Sequence, residues 1–416
     1  MTYEVGSREH FYYSELSPSD NGVKVKDALK LIENSPYYDE VYESMRIKPI
    51  ENEFIPIKGA TSLIKLVMQM DKRFTKFDIT SKLKDVKCSG LLDTKNAVLE
   101  FSNVEDIEAL KITGSDIFKA TTRYSVKSDY LDKIYNADKY LNYCHNRGYE
   151  EFIKESLEYI EENNEDSELD KQFRLLKSRS NDCYVRAITS VDSYKDYNIR
   201  FSVFIALISL YRLTKSHKEE YYVRYSSASE SDIRVVFRRN ERKKVTNGIE
   251  VGFELELVND EIKREAVKFN GLFSIVYDNT KTVSLKPDIN AKIINFSHKI
   301  GVKKVANLLK GLPEAIDEFI AVMYNDIKFV NKSKSPEELK KYLYLKVKNS
   351  KQKEFREKYK KEVQKMIEEE NVNTFYQLLD LMNKVDLLID DSDIKAKDYW
   401  KYKLYEVLVK GKRDSQ

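Results

Sequence analysis

Glycine and proline are scarce, 12 and 7 residues in a chain of 416. Few loops are therefore expected, and helix should dominate. The three cysteines, Cys88, Cys144 and Cys183, are odd in number and share no ligand-like spacing. That argues against a disulfide framework or a cysteine metal site and leaves free thiols. Four scattered histidines, His10, His145, His217 and His298, offer no metal triad. The chain lacks a glycine-rich phosphate loop, a nucleophile elbow and an HExxH helix. No apolar run reaches the roughly 20 residues of a membrane span; the longest, Phe201 to Leu213, reads as a buried helix. The N-terminal residues lack the basic-then-apolar order of a signal peptide, so a cytoplasmic location is expected. Asp390 to Asp393 lacks the glycine and distal glutamate of a calcium loop, and reads as a turn with Ser392 as N-cap.

Charge and tyrosine are what the chain has in quantity: 34% charged residues and 29 tyrosines. The net charge of +3 conceals a segregation. Lys171 to Lys310 carries 27 Lys and Arg against 16 Asp and Glu, whereas the remainder carries 45 against 53. A basic middle between acidic flanks can draw a polyanion to one face or draw the chain's own parts together.

Patterning divides the chain into three. Residues 1–165 read as a mixed α/β region, with a helix behind Thr61, a small sheet between Phe77 and Thr113, and tyrosine-rich helices near Tyr130 to Tyr143 and Glu150 to Glu162. The acidic run Glu161 to Asp170 reads as a linker. Residues 170–290 read as a basic β-rich domain, with Asn247-Gly248 as a type I′ turn signal and Arg238 to Lys244 as a rival turn. In Ile249 to Leu257, apolar residues alternate with Glu250, Glu254 and Glu256, as in a sheet with one face in water. Residues 291–416 read as a helical lobe. Ser335 to Glu338 is a capping box, Phe355, Tyr359, Val363 and Ile367 form an apolar stripe, and Trp400, Leu404, Val407 and Leu408 mark a last helix. The fold class expected is α+β.

Candidate functional residues are cationic. Arg234, Arg238, Arg239, Arg242, Lys243 and Lys244 lie within one probable hairpin, where guanidinium groups could fork onto phosphates; equally, they could protect an edge strand. His298, Lys299, Lys303 and Lys304 make a second basic turn. Arg186 stands in the middle of an apolar strand, facing a cleft or paired with Asp192 or Asp196. Glu261-Ile262-Lys263 matches half of a nuclease motif whose carboxylates would hold Mg²⁺, without an upstream Pro-Asp.

The segment Leu175 to Asn198, with its arginine-bearing strand, tyrosine and Asp-Asn turn, resembles a family of phage and plasmid proteins of unknown function. Asn259, Asp260, Glu261, Asn270 and Gly271 sit where that family has an Asn-Ser/Asp-Glu step and an Asn-Gly block, and His298-Lys299 resembles its His-basic helix start. Phe269 stands where the family often has cysteine. The resemblance covers roughly Leu175 to the C-terminus. It implies a mobile-element origin and no established reaction.

The expectation is a non-enzymatic accessory protein without cofactor or metal, binding nucleic acid through its basic centre. The alternatives are a protein-interaction module, either an inhibitor of host defence or a phage structural component, and a metal-dependent nuclease.

Overall fold

Which strands pair with which decides where the basic centre sits. The computed structural model describes residues 9–11, 20–191, 194–246, 248–262, 266–278, 281–287, 292–328, 335–390 and 393–409. It is α+β, with 45% helix and 28% strand. Among the described residues there are two large sheets. The first has six strands in the order Phe74–Lys82, Asp170–Ser178, Cys183–Ser190, Phe118–Thr122, Ala97–Phe101, Val86–Leu91. Neighbours are antiparallel except Phe118–Thr122 beside Cys183–Ser190, which run parallel. The second is antiparallel, with seven strands ordered Glu9–Phe11, Tyr221–Ala228, Asp232–Thr246, Ile249–Asp260, Val267–Tyr277, Lys281–Leu285; Lys292–Phe296 also pairs with Val267–Tyr277.

The segment Asp170–Ser190, read from sequence as the start of the basic centre, thus belongs to a sheet whose other strands are N-terminal. The acidic run before it turns directly into the strand Asp170–Ser178. One apolar core lies under the six-stranded sheet and its helices Asp138–Asn146 and Glu150–Glu162. The other joins residues from Val23 to Phe74 with the long sheet and the C-terminal helices. The six-stranded unit is an insertion between the two halves of the larger one.

The helix Ile199–His217 is apolar nearly all round and packs against the strand Ile249–Asp260. Ile249, Val251, Phe253, Leu255 and Leu257 lie on that side, all buried. The opposite face is not in water as the alternation suggested: Glu254 and Glu256 are both 0% exposed. The C-terminal helix Ile394–Leu408 lies near the strand Lys281–Leu285 and supplies Asp398 to the ion pairs on that face. At Glu254 and Glu256 the polar half of the alternation is a buried ionic layer, whereas Glu250, near the hairpin end, stays partly exposed.

In the hairpin Asp232–Thr246/Ile249–Asp260, Thr246 stands opposite Ile249 and Gly248 has φ +76°; Asn247 lies outside the described residues. The rival turn is instead a bulge, because pairing steps from Arg238↔Glu254 to Arg242↔Gly252 and leaves two extra residues on one strand. Gly271 permits a close approach, since a Cβ there would stand 2.3 Å from the Phe319 ring. The Ser335/Glu338 capping box forms. The predicted stripe is split at Tyr359 into helices Lys353–Lys358 and Lys360–Glu369, with Phe355, Val363 and Ile367 buried. Ser392 lies outside the described residues. No helix among them is long and apolar enough to cross a membrane.

Candidate functional site: a charged cleft between the sheets

Pairing of Asp170–Ser178 with Cys183–Ser190 steps from Arg174↔Ala187 to Leu175↔Val185. Arg186 is therefore the extra residue of a β-bulge, the device by which a strand re-aims one side chain. Its side chain is 0% exposed. Nη1 donates to Glu230 O (3.1 Å), Ser231 Oγ (3.2 Å) and Glu261 Oε2 (3.0 Å). Glu230 and Ser231 form the tight turn between Tyr221–Ala228 and Asp232–Thr246, so one guanidinium on the six-stranded sheet grips a hairpin tip of the other. Tyr124 donates to the Glu230 carboxylate across the same joint.

Glu261, just beyond the strand Ile249–Asp260, is the hub. Lys76 Nζ reaches both its oxygens at 3.1 Å, and Ile199 N, the first amide of the long helix, donates to Oε1 at 2.9 Å. Asn198 caps the same helix by accepting from Phe201 N at 2.9 Å, which satisfies another end amide. Burial alone would raise the Glu261 carboxyl. Lys76, Arg186 and Arg174 outweigh it and hold the group below the ordinary carboxylate range.

Arg174, 4% exposed, pairs with Asp78 (3.3 Å) and with Asp196, and its Nη1 donates to Glu261 O at 2.7 Å. Asp78 stands opposite it in the strand register. Tyr194 donates to the same carbonyl at 2.9 Å and stacks on His298 (ring centroids 4.7 Å apart, planes at 5°), while the Arg174 guanidinium lies over the Tyr194 ring, 5.4 Å from its centroid. His298 is buried. Nδ1 is 3.2 Å from Lys195 O and Nε2 is 3.1 Å from Asn259 Oδ1, and Asn259 Nδ2 donates to Tyr197 O. Both ring nitrogens thus face acceptors. Burial still dominates and depresses the imidazole to about 4.

These groups border a cleft of about 530 Å³ whose lining includes Leu31, Phe74, Phe77, Lys76, Asp78, Glu108, Arg174, Arg186, Asp196, Arg200 and Glu261. Arg186 has all its contacts on Nη1. Nε and Nη2, buried, have no hydrogen-bond partner among the described residues. That edge is the one with which a guanidinium takes two oxygens of an oxyanion at once.

The expected nucleic-acid-binding residues do not converge on one outward face. Arg234 is buried against Glu256 and Asp398, and Lys286 bridges the same two acids at 3.2 and 2.8 Å. Arg238 is buried against Glu254 (2.6 Å), which Arg224 also contacts at 2.7 Å. Arg239 pairs with Glu219 (2.8 Å) and Glu241. Arg186 and His298 are buried as described. The physical reason is desolvation: a buried arginine without a carboxylate is prohibitively costly, so the strand glutamates pair with the strand arginines. Arg242, Lys243 and Lys244 are exposed near the hairpin end. Arg242 lies 3.8 Å from Glu250, Lys243 sits 4.4 Å over Tyr324, and Lys244 is opposite Glu250 in register. Lys299 and Lys303 are exposed.

Arg186, which the sequence left either facing a cleft or paired with Asp192 or Asp196, is a lining residue of the cleft and pairs with Glu261; Asp196 pairs with Arg174, and Asp192 lies outside the described residues. Arg174, Lys76 and Asp78 were missed. Arg174 carries the same signal as Arg186, an arginine inside an apolar strand. Glu261 is held as an ion-pair hub; Lys263 is outside the described residues, and among those described no group of three His, Cys, Asp or Glu could hold a metal. The three cysteines are free. Comparison with family models, with curated proteins and with solved structures gives no match.

Proposed function

We propose that the protein is a binding protein whose cleft between the two sheets receives a small anionic ligand. The observation that carries this reading is that Arg186, which lines a cleft of about 530 Å³, has a buried Nε–Nη2 edge with no hydrogen-bond partner among the described residues. Leaving such donors without an acceptor costs about 1 to 3 kcal/mol or more for a charged group; an oxyanion placed there recovers that cost. The test is thermal unfolding against a panel of carboxylates and phosphates, from acetate to nucleotides, in the native protein and in Asn34→Trp. Asn34 is an exposed residue of the lining, outside the ion pairs, and an indole there adds bulk at the cleft. A ligand raises the unfolding temperature saturably, as selective binding to the folded state requires, and Asn34→Trp abolishes the rise. Stabilisation by no compound, or equal stabilisation of Asn34→Trp, overturns the reading.

A second reading, a protein-interaction module, is favoured by one feature. The helices Asp138–Asn146 and Glu150–Glu162, with Tyr149 just before the second, expose Tyr140, Tyr143, Tyr149, Phe152 and Tyr159, the last by 70%, amid Glu150, Glu151, Glu155, Glu158 and Glu162. Aromatic side chains at this exposure are typical of recognition surfaces, and the acidic surround suits a basic protein partner. Nucleic-acid binding retains only the exposed Arg242, Lys243, Lys244, Lys299 and Lys303, since phosphate contact by Arg234, Arg238 or His298 would break buried pairs and Arg186 is fully buried. A mobility-shift titration across salt tests it. The likeness to mobile-element proteins supports an accessory role, which the gene's neighbours would check.

A further inference from the structure

The outer surface of the helices Asp138–Asn146 and Glu150–Glu162 carries two parallel patterns. Ile153 and Leu157 of the second helix are buried in the core under the six-stranded sheet. On its opposite side Glu151, Glu155, Glu158 and Glu162, at helical spacing, form one acidic line, and all four are exposed. Glu158 lies 3.9 Å from Lys154. Glu151, Glu155 and Glu162 have no ion-pair partner among the described residues. Phe152 and Tyr159, two turns apart, make an aromatic line beside the acidic one. Tyr140 of the preceding helix meets Phe152 edge-on, with ring centroids 5.9 Å apart. Tyr140, Tyr143 and Phe152 are each exposed by 47% to 55%. Arg147 already lies over the Tyr143 ring, its guanidinium carbon 5.5 Å from the centroid, so within the chain this surface takes a guanidinium on an aromatic face.

We propose that this surface binds an arginine-rich segment of a partner protein, laid in extended form along the helix Glu150–Glu162 with an arginine at every second position. The inference rests on the protein-interaction reading and gives the partner its chemistry; the cleft stands or falls separately. Charge complementarity makes the occupant cationic, because exposed carboxylates without an internal cation attract positive groups and repel a nucleic acid or an anionic membrane. The rings make it arginine. A guanidinium is planar and weakly hydrated, so it stacks on a ring while its N–H groups reach a neighbouring carboxylate; an ammonium is a strongly hydrated point charge. Spacing makes it extended. Alternate residues of an extended chain stand about 6.6 Å apart, and four residues of helix rise about 6 Å, so arginines at every second position keep step with the glutamates. The line from Glu151 to Glu162 is about 16 Å long, which an extended segment covers in about five residue steps.

The experiment is fluorescence anisotropy of short labelled peptides titrated with the full chain at low and at physiological salt. One peptide alternates arginine with glycine, a second alternates lysine with glycine, and a third has the composition of the first with its arginines in one block; a labelled single-stranded oligonucleotide is the rival. The alternating arginine peptide binds saturably and loses affinity as salt rises. Lysine in place of arginine weakens binding about fivefold, and the block arrangement weakens it about threefold. Tyr159→Ser and Glu155→Gln, at exposed positions outside the core, each weaken it about threefold or more. Equal binding of the lysine or the block peptide, still weakened by Tyr159→Ser, overturns this inference and leaves a basic partner standing. Capture of the oligonucleotide at this face overturns it, as does salt-sensitive self-association in sedimentation that Tyr159→Ser abolishes, which would assign the face to a second copy. Binding by no peptide, or binding unchanged in both variants, overturns the inference together with the protein-interaction reading.

Discussion

Arg186→Met removes three hydrogen bonds at once, to Glu230 O, Ser231 Oγ and Glu261 Oε2, and leaves Glu261 with Lys76 and Ile199 N. Breaking one partner of a fully buried ion pair typically costs about 3 to 5 kcal/mol. Glu261→Gln keeps acceptors for Ile199 N and Arg186 Nη1 but strips the counter-charge from two cations. Lys76 is 22% exposed and can turn partly to water, so this change belongs near the lower end, about 3 kcal/mol. The double variant removes the charges that each single change strands. It should therefore cost about 1 to 3 kcal/mol less than the sum, the range of coupling between residues in contact. The assay is urea unfolding followed by fluorescence of Trp400, the only tryptophan, which is buried in the larger core. Amide exchange in the strands of the six-stranded sheet reports the other core. Because Arg186 joins the two, its loss should let the six-stranded unit open at lower urea than the Trp400 signal. Costs that add to within about 0.5 kcal/mol, or a single-variant cost below about 1 kcal/mol, would refute the keystone role of this pair.

Three further outcomes follow from groups that titrate or pack unusually. The His298 imidazole is depressed from 6.5 to about 4 by burial, so its contribution is complete above pH 6.5 and is lost as pH falls towards 4. Between pH 7 and 5 the loss is roughly 2 kcal/mol, read from urea midpoints, and His298→Gln flattens it. Burial raises the Glu161 carboxyl to about 7, although it accepts from Cys88 N (2.7 Å) and Tyr130 Oη (3.1 Å). The sign is opposite: stability is full below about pH 4.5 and falls as pH rises to 7. Glu161→Gln should be worth about 1 to 2 kcal/mol at pH 8 and close to nothing at pH 5, after allowing for partial exposure. Gly271→Ala drives a methyl into the Phe319 ring and should cost about 1 to 3 kcal/mol by thermal unfolding, with Phe319→Leu in the same chain recovering part of it.

Much of the architecture was legible because period and capping are local. The Ser335 capping box, the apolar helix after Asn198, the strand hairpin at Gly248 and the buried Trp400 helix could all be read from spacing. Pairing between distant strands could not. Nothing in Asp170–Ser190 reveals that its neighbours are Phe74–Lys82 and Phe118–Thr122, since both candidate sheets would accept the same alternating pattern. The charge map misled for a related reason. Arg234 and Arg238 look like a solvated edge when the strand is read alone, and only the register against Glu254 and Glu256, with Asp398 more than 150 residues later, turns them inward. Arg186 was visible as an oddity, a guanidinium in an apolar strand. Its bulge was not, because a bulge depends on the partner strand. The cleft was illegible, being made of seven stretches of chain that meet only in the folded protein.

The central claim is that the arginines of the basic middle are turned into the molecule, with Arg186 retaining one free edge in the cleft. Hydrogen exchange at the arginine Nε–H groups, followed by nitrogen NMR, measures this most directly. The account predicts slow exchange for Arg174, Arg186, Arg234 and Arg238, fast exchange for Arg242, and a shift on ligand addition in the one protected signal that Arg186→Lys removes. Exchange of all these groups at the rate of exposed arginine, or a ligand shift at Arg242 with none at Arg186, would contradict it.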